Sequence, residues 1–314
     1  MIKFREVPEA PKESKEAKER LETKVVLNFL RHEDKEKPIE GQSSDEVELT
    51  EAGRQAAIDK GREEGKEGHP EVGFAVASPK PRAQHTALLR LMSASKEELT
   101  DEMDFEEAKA LVNKELGFGT KVTHLPELDF HFVNEFKKRF LKAYAEEGRG
   151  LEFLLHESDE LGIELGDKES WSYSKMAANI ASLIAREMMV GNSFNRIASK
   201  EPNKYKKYDN HIERYLGTHQ TVTECFYMKV LEKLHGREKA EEFIEIFRDK
   251  EGKANGFDFQ GGFKVEIVNG PQGQEVILEG VQGFDDIELT PELLSGIISD
   301  AEELDKKIPE TLQT

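Results

Sequence analysis

Two short apolar runs, each leading into a polar segment, organise the start of the chain. Residues 24–31 are almost continuously apolar and rich in β-branched side chains near their start, which is typical of a strand buried on both faces of a parallel sheet. Residues 73–79 have the same character. After each run comes a helix signal: Thr50 can cap a helix that begins near residue 49, and Pro81 suits the first turn of another. Alternating strands and helices with short connections predict a parallel sheet with right-handed crossovers.

The rest of the chain predicts helices followed by a hairpin. Three glycines at positions 61, 65 and 68 follow the first helix signal, and we expect them to break that helix up. Aromatic and aliphatic side chains recur at helical spacing between about residues 130 and 210, as in a helical insertion. Alternating apolar residues flank positions 269–271 and predict a β-hairpin at a sheet edge. The predicted fold class is an α/β three-layer sandwich with a mainly parallel sheet, a helical insertion and a C-terminal β-hairpin.

Charge and composition narrow the classes of function. The 314 residues carry 64 acidic and 45 basic side chains, for a formal net charge of −19. Such a charge repels nucleic acid and anionic membranes at long range, so a phosphate site must be a local cluster of cations. Residues 1–23 are rich in Lys and Glu and predict a charged arm, whereas residues 24–314 predict one domain with its helical cap or insertion at about 130–210.

Further features of the sequence bear on location and partners. No run approaches the ~18 apolar residues of a membrane span, and the first residues lack the apolar core of a signal peptide. Cys225 is the only cysteine, which suits a reducing compartment, and its apolar surroundings predict core packing. We therefore expect a cytoplasmic protein with no nucleic-acid or membrane partner; the sequence indicates no oligomeric state.

The pair Arg31-His32 lies where the first predicted strand ends. In open α/β sheets, ligands bind beyond the carboxyl ends of the strands. An arginine offers a planar fork of donors to an anion, and a histidine beside it can be a base or a nucleophile. A surface dipeptide at a strand end is the alternative interpretation.

Four short segments follow one another along the chain: Leu30-Arg31-His32, LTEAGRQA at residues 49–56, SPKPRAQHTA at residues 78–87, and IERYLGTH at residues 212–219. They resemble successive motifs of the histidine phosphatase superfamily, the phosphoglycerate-mutase-like group. The usual forms there are RHG, LTxxGxxQA, SSPxxRAxQTA and a strand that ends in histidine. The four segments occur in the order expected for that superfamily.

The resemblance implies a metal-independent phosphomonoesterase of the histidine acid-phosphatase type, without cofactor. His32 would attack phosphorus and form a phosphohistidine that water hydrolyses. Arg31 and Arg82 would bind the non-bridging phosphoryl oxygens, and His219 would stabilise charge in the transition state. The substrate would be a phosphorylated small molecule or a phosphoprotein. No paired-cysteine or HExxH pattern predicts a metal site.

A general acid is needed because an alkoxide leaves poorly at neutral pH. The superfamily usually places it after the third strand, and Glu127 is our candidate there, with Asp129 and Glu135 as alternatives. The chain also departs from the usual pattern. Glu33 replaces a small residue, and it would repel a phosphate unless it turned to solvent. Gln220 and Thr221 stand where glycines are usual.

Two other functions stay open from the sequence. A phosphoryl mutase would retain the same residues and would differ by excluding water from the intermediate. A catalytically weak relative would bind a phosphorylated ligand or partner without turning it over. The departures at Glu33 and at the general acid favour the weak relative, whereas Arg31, His32, Arg82 and His219 favour the enzyme.

Overall fold

A twisted sheet forms the centre of the protein. The computed structural model describes residues 21–43, 45–67, 73–94, 123–205, 210–254, 256–257 and 261–309. Within these ranges the sheet has seven strands in the order β3-β2-β4-β1-β5-β6-β7. They are β1 (Thr23–Arg31), β2 (Gly73–Ala77), β3 (Thr123–His124), β4 (His211–Thr218), β5 (Gly262–Gly270), β6 (Gly273–Leu278) and β7 (Ile287–Glu288).

The sheet is parallel on one side and antiparallel on the other. β1 to β4 pair with one another in parallel, whereas β5 runs antiparallel to β1, β6 to β5 and β7 to β6. β5 and β6 are the predicted hairpin, with Gly270 opposite Gly273 across its turn. The predicted strand at residues 24–31 is confirmed as β1.

Helices cover both faces of the sheet. The helices of the described residues are α1 (Glu51–Glu67), α2 (Pro81–Ala94), α3 (Asn134–Leu141), α4 (Gly150–His156), α5 (Ser158–Leu165), α6 (Tyr173–Lys200), α7 (Pro202–Tyr205), α8 (Val222–His235), α9 (Arg237–Ile246) and α10 (Pro291–Lys307). α1 and α2 pack on one face, and α6 and α8, which contact α10, pack on the other. The three-layer α/β sandwich is therefore confirmed.

β1 is buried on both faces, as its continuous apolar pattern predicts. Val25, Leu27 and Phe29 belong to the large core on the side of α6 and α8. Leu30 belongs to the smaller core beneath α1 and α2. β1 therefore presents its last residue, Arg31, from the middle of a packed sheet rather than from a mobile edge.

The glycines of α1 do not interrupt it, contrary to our expectation. α1 continues through Gly61 and Gly65 to Glu67, and position 68 lies outside the described residues. The reason is the close approach of α2: a Cβ at Gly61 would lie 2.5 Å from the carbonyl oxygen of Arg90, and one at Gly65 would lie 2.8 Å from that of Ala94. These glycines allow two helix backbones to touch, and this contact outweighs their low helix propensity.

The helical insertion contributes to the core. α3 to α7 lie between β3 and β4, and the long helix α6 packs against β1 and β5 as part of one layer. Phe136 and Phe140 of α3 are buried, as their spacing predicts. The charged arm predicted at residues 1–23 lies mostly outside the described residues. No helix in the described part of the chain is both long and apolar enough to cross a lipid bilayer.

Candidate active site

Parallel pairing of β1, β4 and β2 brings the three polar segments that follow these strands to the same end of the sheet, beyond the carboxyl ends of the strands. β1 ends at Arg31, directly opposite Thr218 of β4, so His32 and His219 leave the sheet side by side. Their rings meet edge to face with centroids 5.2 Å apart. β2 lies on the other side of β4 and leads into α2, whose second residue is Arg82. Residues far apart in the sequence thus converge, as the resemblance implies.

His32 is held as a neutral imidazole with a defined tautomer. Its Nδ1 lies 2.7 Å from the backbone carbonyl oxygen of Glu33 and donates to it, which leaves the lone pair on Nε2. The Nε–H of Arg82 donates to this Nε2 at 3.2 Å. Burial, with smaller contributions from the charges of His219 and the arginines, holds the pKa of His32 well below its usual value. Nε2 is therefore an unprotonated nitrogen beside a guanidinium group.

His219 is buried and shares its Nε2 between two oxygens. Ser78 Oγ lies 2.7 Å from this nitrogen, and Asp129 Oδ1 lies 3.3 Å from it. Nδ1 is buried and has no hydrogen-bond partner among the described residues. Burial lowers the pKa of His219 to about 4 against the attraction of Asp129, so the ring is neutral at physiological pH. A ligand oxygen can occupy the position beside Nδ1 when this nitrogen carries a proton, because an oxygen anion only accepts hydrogen bonds.

Arg31 is fixed through the backbone of Phe257. Its Nη1 donates to the Phe257 carbonyl oxygen. The Phe257 N–H donates to Oε1 of the buried Glu224 at 2.8 Å, and the charge of Arg31 lowers the pKa of that carboxyl against the larger effect of burial, which raises it. Glu224 therefore holds the segment that positions Arg31.

The same carboxylate explains why Thr221 can replace a glycine. Thr221 has φ = 80°, a conformation that strains a β-branched residue. Its N–H donates to Glu224 Oε2 at 2.7 Å, and the two residues form a capping box at the start of α8. These hydrogen bonds hold the turn after His219 in a shape that glycine would adopt without strain.

Gln220, at the other usual glycine position, connects the site to the helical insertion. Its Oε1 accepts a 2.6 Å hydrogen bond from the hydroxyl of Tyr144. Tyr144 lies in a π-helical turn, Lys142–Glu146, directly after α3. It is 37% exposed, so this end of the predicted aromatic stripe forms a wall beside the site instead of core.

Lys80 is a site cation that sequence reasoning missed. Its ammonium group lies 2.9 Å from Asp129 Oδ1 and 3.3 Å from Asp45 Oδ1, and the side chain is buried. Lys35 is a further cation close to Lys80 and Arg82: burial, together with the charges of these two residues, lowers its pKa. Lys80 occupies a variable position of the third motif, so no pattern in the sequence distinguishes it.

The three candidate acids lie in different surroundings. Glu127 pairs with Arg186 of α6 at 2.9 Å, and Glu135 pairs with Lys138 and Arg139 of its own helix. Asp129 alone among the three contacts His219. Burial favours the neutral form of Asp129, but the hydrogen bonds and charges of His219 and Lys80 prevail and lower its pKa to about 2.

Glu33 does not turn to solvent. Its side chain is 1% exposed, its N–H donates to Thr86 Oγ1 at 3.1 Å, and its carbonyl oxygen accepts from His32. The condition under which Glu33 would not repel a phosphate, a side chain turned to solvent, is therefore not met. Cys225 is buried and its thiol pKa is raised by burial, which confirms its packing role.

Comparisons with known proteins gave structural matches only. No protein-family model and no curated protein sequence matches the chain. Mycobacterial glucosyl-3-phosphoglycerate phosphatase is 16% identical, with a TM-score of 0.42 over 82% of this chain and 98% of that one. Mycobacterial hydrolase 1 is 16% identical, with a TM-score of 0.43 over 83% and 99%. Phosphoglycerate mutase from Bacillus anthracis is 15% identical, with a TM-score of 0.40 over 89% and 97%.

At such identities and TM-scores the chain's own residues carry the resemblance. The motifs that contain Arg31, His32, Arg82 and His219 occur in order along the sequence, and the sheet brings them to one edge. In its α/β fold and in the placement of these motifs, the chain is similar to the histidine phosphatase superfamily.

Proposed function

We propose that this protein is a member of the histidine phosphatase superfamily that hydrolyses phosphomonoesters through a phosphohistidine on His32. The observation that carries this proposal is the state of His32. Nδ1 is committed to the Glu33 carbonyl, and the lone pair of Nε2 lies beside the Arg82 guanidinium. A neutral imidazole whose unprotonated nitrogen lies beside a cation suited to phosphate is what a nucleophile toward phosphorus requires.

The other groups have complementary tasks in this proposal. Arg31 and Arg82 bind non-bridging oxygens of the phosphoryl group, for which a planar guanidinium is suited. The buried Nδ1 of His219 gains a partner when a phosphoryl oxygen enters. A dianion beside His219 favours its protonated form, so the ring donates a hydrogen bond as negative charge builds up on the transferred group. No step requires a metal ion.

The proton for the leaving oxygen comes from a carboxyl group, and Glu127 remains our prediction, with Asp129 and Glu135 as the alternatives. Asp129 lies beside His219, but the hydrogen bonds and charges of His219 and Lys80 lower its pKa to about 2, which favours the ionised form over a proton donor. Glu127 and Asp129 are distinguished by the leaving group. A variant without the general acid loses much more activity toward an alkyl phosphate than toward 4-nitrophenyl phosphate, whose phenolate leaves without protonation. We expect this selective loss in Glu127→Gln and not in Asp129→Asn; the reverse pattern would assign the role to Asp129.

Hydrolysis of 4-nitrophenyl phosphate in the presence of EDTA tests the function. We expect turnover by the wild type and a fall to the uncatalysed rate in His32→Ala. His235→Ala is the matched control, because His235 is exposed near the end of α8 and should leave turnover unchanged. Rapid quenching with radiolabelled substrate should trap an acid-labile, base-stable phosphoryl group on wild-type protein only.

Other outcomes have defined meanings. Full activity in His32→Ala would exclude the proposed nucleophile. Transfer of the label to an added alcohol without matching release of phosphate would indicate a mutase. Saturable binding of phosphate without turnover of any ester would indicate the weak relative.

A further inference from the structure

Lys80 connects three segments around the candidate site. Its Nζ lies 2.9 Å from Oδ1 of Asp129, which follows β3, and 3.3 Å from Oδ1 of Asp45, in the connection between β1 and α1. It also lies 3.6 Å from the centroid of the Phe130 ring. An ammonium group has three N–H donors, and two carboxylates and an aromatic face lie within reach of them.

These contacts separate the role of Lys80 from that of the two arginines. A substrate oxygen could bind the Lys80 ammonium only by displacing one of its three partners. The side chain is also 7% exposed, so it has little freedom to turn toward another group. The geometry therefore assigns Lys80 to the organisation of its neighbours rather than to contact with the phosphate.

Lys80 and His219 are connected through a single oxygen atom, Oδ1 of Asp129. Asp129 Oδ1 contacts Lys80 Nζ at 2.9 Å and His219 Nε2 at 3.3 Å. The same oxygen accepts from the Phe130 N–H at 2.8 Å. An ammonium group and an imidazole ring thus compete for one acceptor oxygen, and the ammonium group is the closer of the two.

We propose that Lys80 is a positioning residue: by binding the same carboxylate oxygen as His219, it weakens the attraction of Asp129 for a proton on the His219 ring and so adds to the effect of burial before an anionic ligand enters the site. Without Lys80, the negative charge of Asp129 would act on His219 alone and would favour its protonation. The link to catalysis rests on the proposed function, whereas the link between the two side chains does not.

The other groups around His219 either pack against its ring or change how readily the ring is protonated. The His32 ring meets its edge, and the Phe130 ring meets it at 5.2 Å between centroids. Arg82 and Lys80 disfavour its protonation, and Asp129 favours it. Further charges near this cluster are those of Asp45, which is paired with Lys80, of Lys35, which interacts with Arg82 and Lys80, and of Arg31, which acts on His32.

Titration of the His219 ring by NMR in the full-length protein tests the proposal without any need for activity. The signal is assigned by its loss in His219→Asn. Because both groups contact Asp129 Oδ1, Lys80 and His219 lie within about 6 Å, where removal of one charge shifts a titration by about one pH unit. We expect Lys80→Met to raise the His219 midpoint by that amount.

Three more variants complete the design. Lys80→Gln, which keeps a donor but no charge, should give the same upward shift and replaces Lys80→Met if that protein does not fold. Lys80→Arg should leave the midpoint near its wild-type value. Lys60→Met removes a half-exposed lysine of α1, away from this cluster, and should have no effect. An unchanged or lowered midpoint in both neutral variants would overturn the proposal.

The pH dependence of kcat/KM for 4-nitrophenyl phosphate gives the catalytic readout. The limb governed by His219 should move upward in Lys80→Met and return in Lys80→Arg. If the ring titration shifts but no variant hydrolyses the ester, the proposed function fails and the role of Lys80 stands. If hydrolysis depends on His32 but the titration does not shift, only the role of Lys80 fails.

Discussion

The neutral state of His219 should make the folded protein sensitive to acid, and His219→Asn should reduce that sensitivity. His219 is 1% exposed and has a pKa of about 4, against an ordinary value of 6.5. Between these values the unfolded chain binds a proton that the folded protein does not. The free energy of unfolding therefore falls as the pH falls from about 6.5 toward 4.

The magnitude follows from the two pKa values. At pH 4.5, linkage gives a loss of about 2.5 kcal/mol from His219 alone, compared with neutral pH. The pKa of His32 is lowered in the same sense, partly by the charge of His219. In His219→Asn no histidine at position 219 takes up a proton on unfolding, and the pKa of His32 is lowered less because the charge of His219 is gone. Both changes reduce the loss of stability in acid.

Urea denaturation at pH 7 and pH 4.5 measures the effect. The wild type should lose about 2.5 kcal/mol more than His219→Asn between the two conditions. The comparison within each protein removes the direct cost of the substitution. His156→Asn, at a half-exposed position on the surface, serves as the control and should retain the wild-type loss. If His219→Asn loses as much stability as the wild type, the histidine is not held neutral in the fold.

Three further substitutions follow from particular contacts. Arg82→Lys keeps the positive charge but loses the planar guanidinium and its Nε donor to His32. The value of kcat/KM for 4-nitrophenyl phosphate should fall about a hundredfold, which corresponds to the loss of one charge-assisted hydrogen bond. An unchanged kcat/KM would exclude Arg82 from the site. Gly61→Ala places a methyl group against the Arg90 carbonyl of α2 and should lower the free energy of unfolding, measured in urea, by about 1–3 kcal/mol. A higher free energy of unfolding in this variant would show that the contact between α1 and α2 has room for the methyl group. Thr290→Ala removes the side-chain cap of α10 and should cost about 1 kcal/mol in the same assay, with Thr290→Ser as a control that keeps the acceptor.

Local patterns predict those parts of the fold that depend on local physics. The continuous apolar run of β1 indicates burial on both faces, and the alternation around residues 269–271 indicates the β5–β6 hairpin. The glycines of α1 were misread because propensity describes an isolated helix. Their effect here depends on the backbone of α2, whose carbonyl oxygens would lie only 2.5–2.8 Å from a Cβ at Gly61 or Gly65, and no pattern within one segment encodes this approach.

The residues of the candidate site likewise include some that local patterns predict and others whose role depends on contacts made only in the folded protein. Arg31, His32, Arg82 and His219 could be predicted because each lies in a motif at the end of a strand or the start of a helix. The role of Lys80 could not be predicted, because its meaning depends on Asp45 and Asp129, which come from separate connections and meet it only in the folded protein. The burial of Glu33 likewise results from tertiary packing and not from its own polarity.

The place of β1 between β4 and β5 has a consequence for the synthesis of the chain. Strand β1 is synthesised well before its neighbours in the sheet, since its parallel neighbour starts at residue 211 and its antiparallel neighbour at residue 262. The apolar side chains of β1 therefore have no sheet partner until these two strands have been synthesised, and long-range pairing of this kind is slow and exposed to aggregation. We expect the nascent protein to need protection by chaperones until the hairpin has emerged.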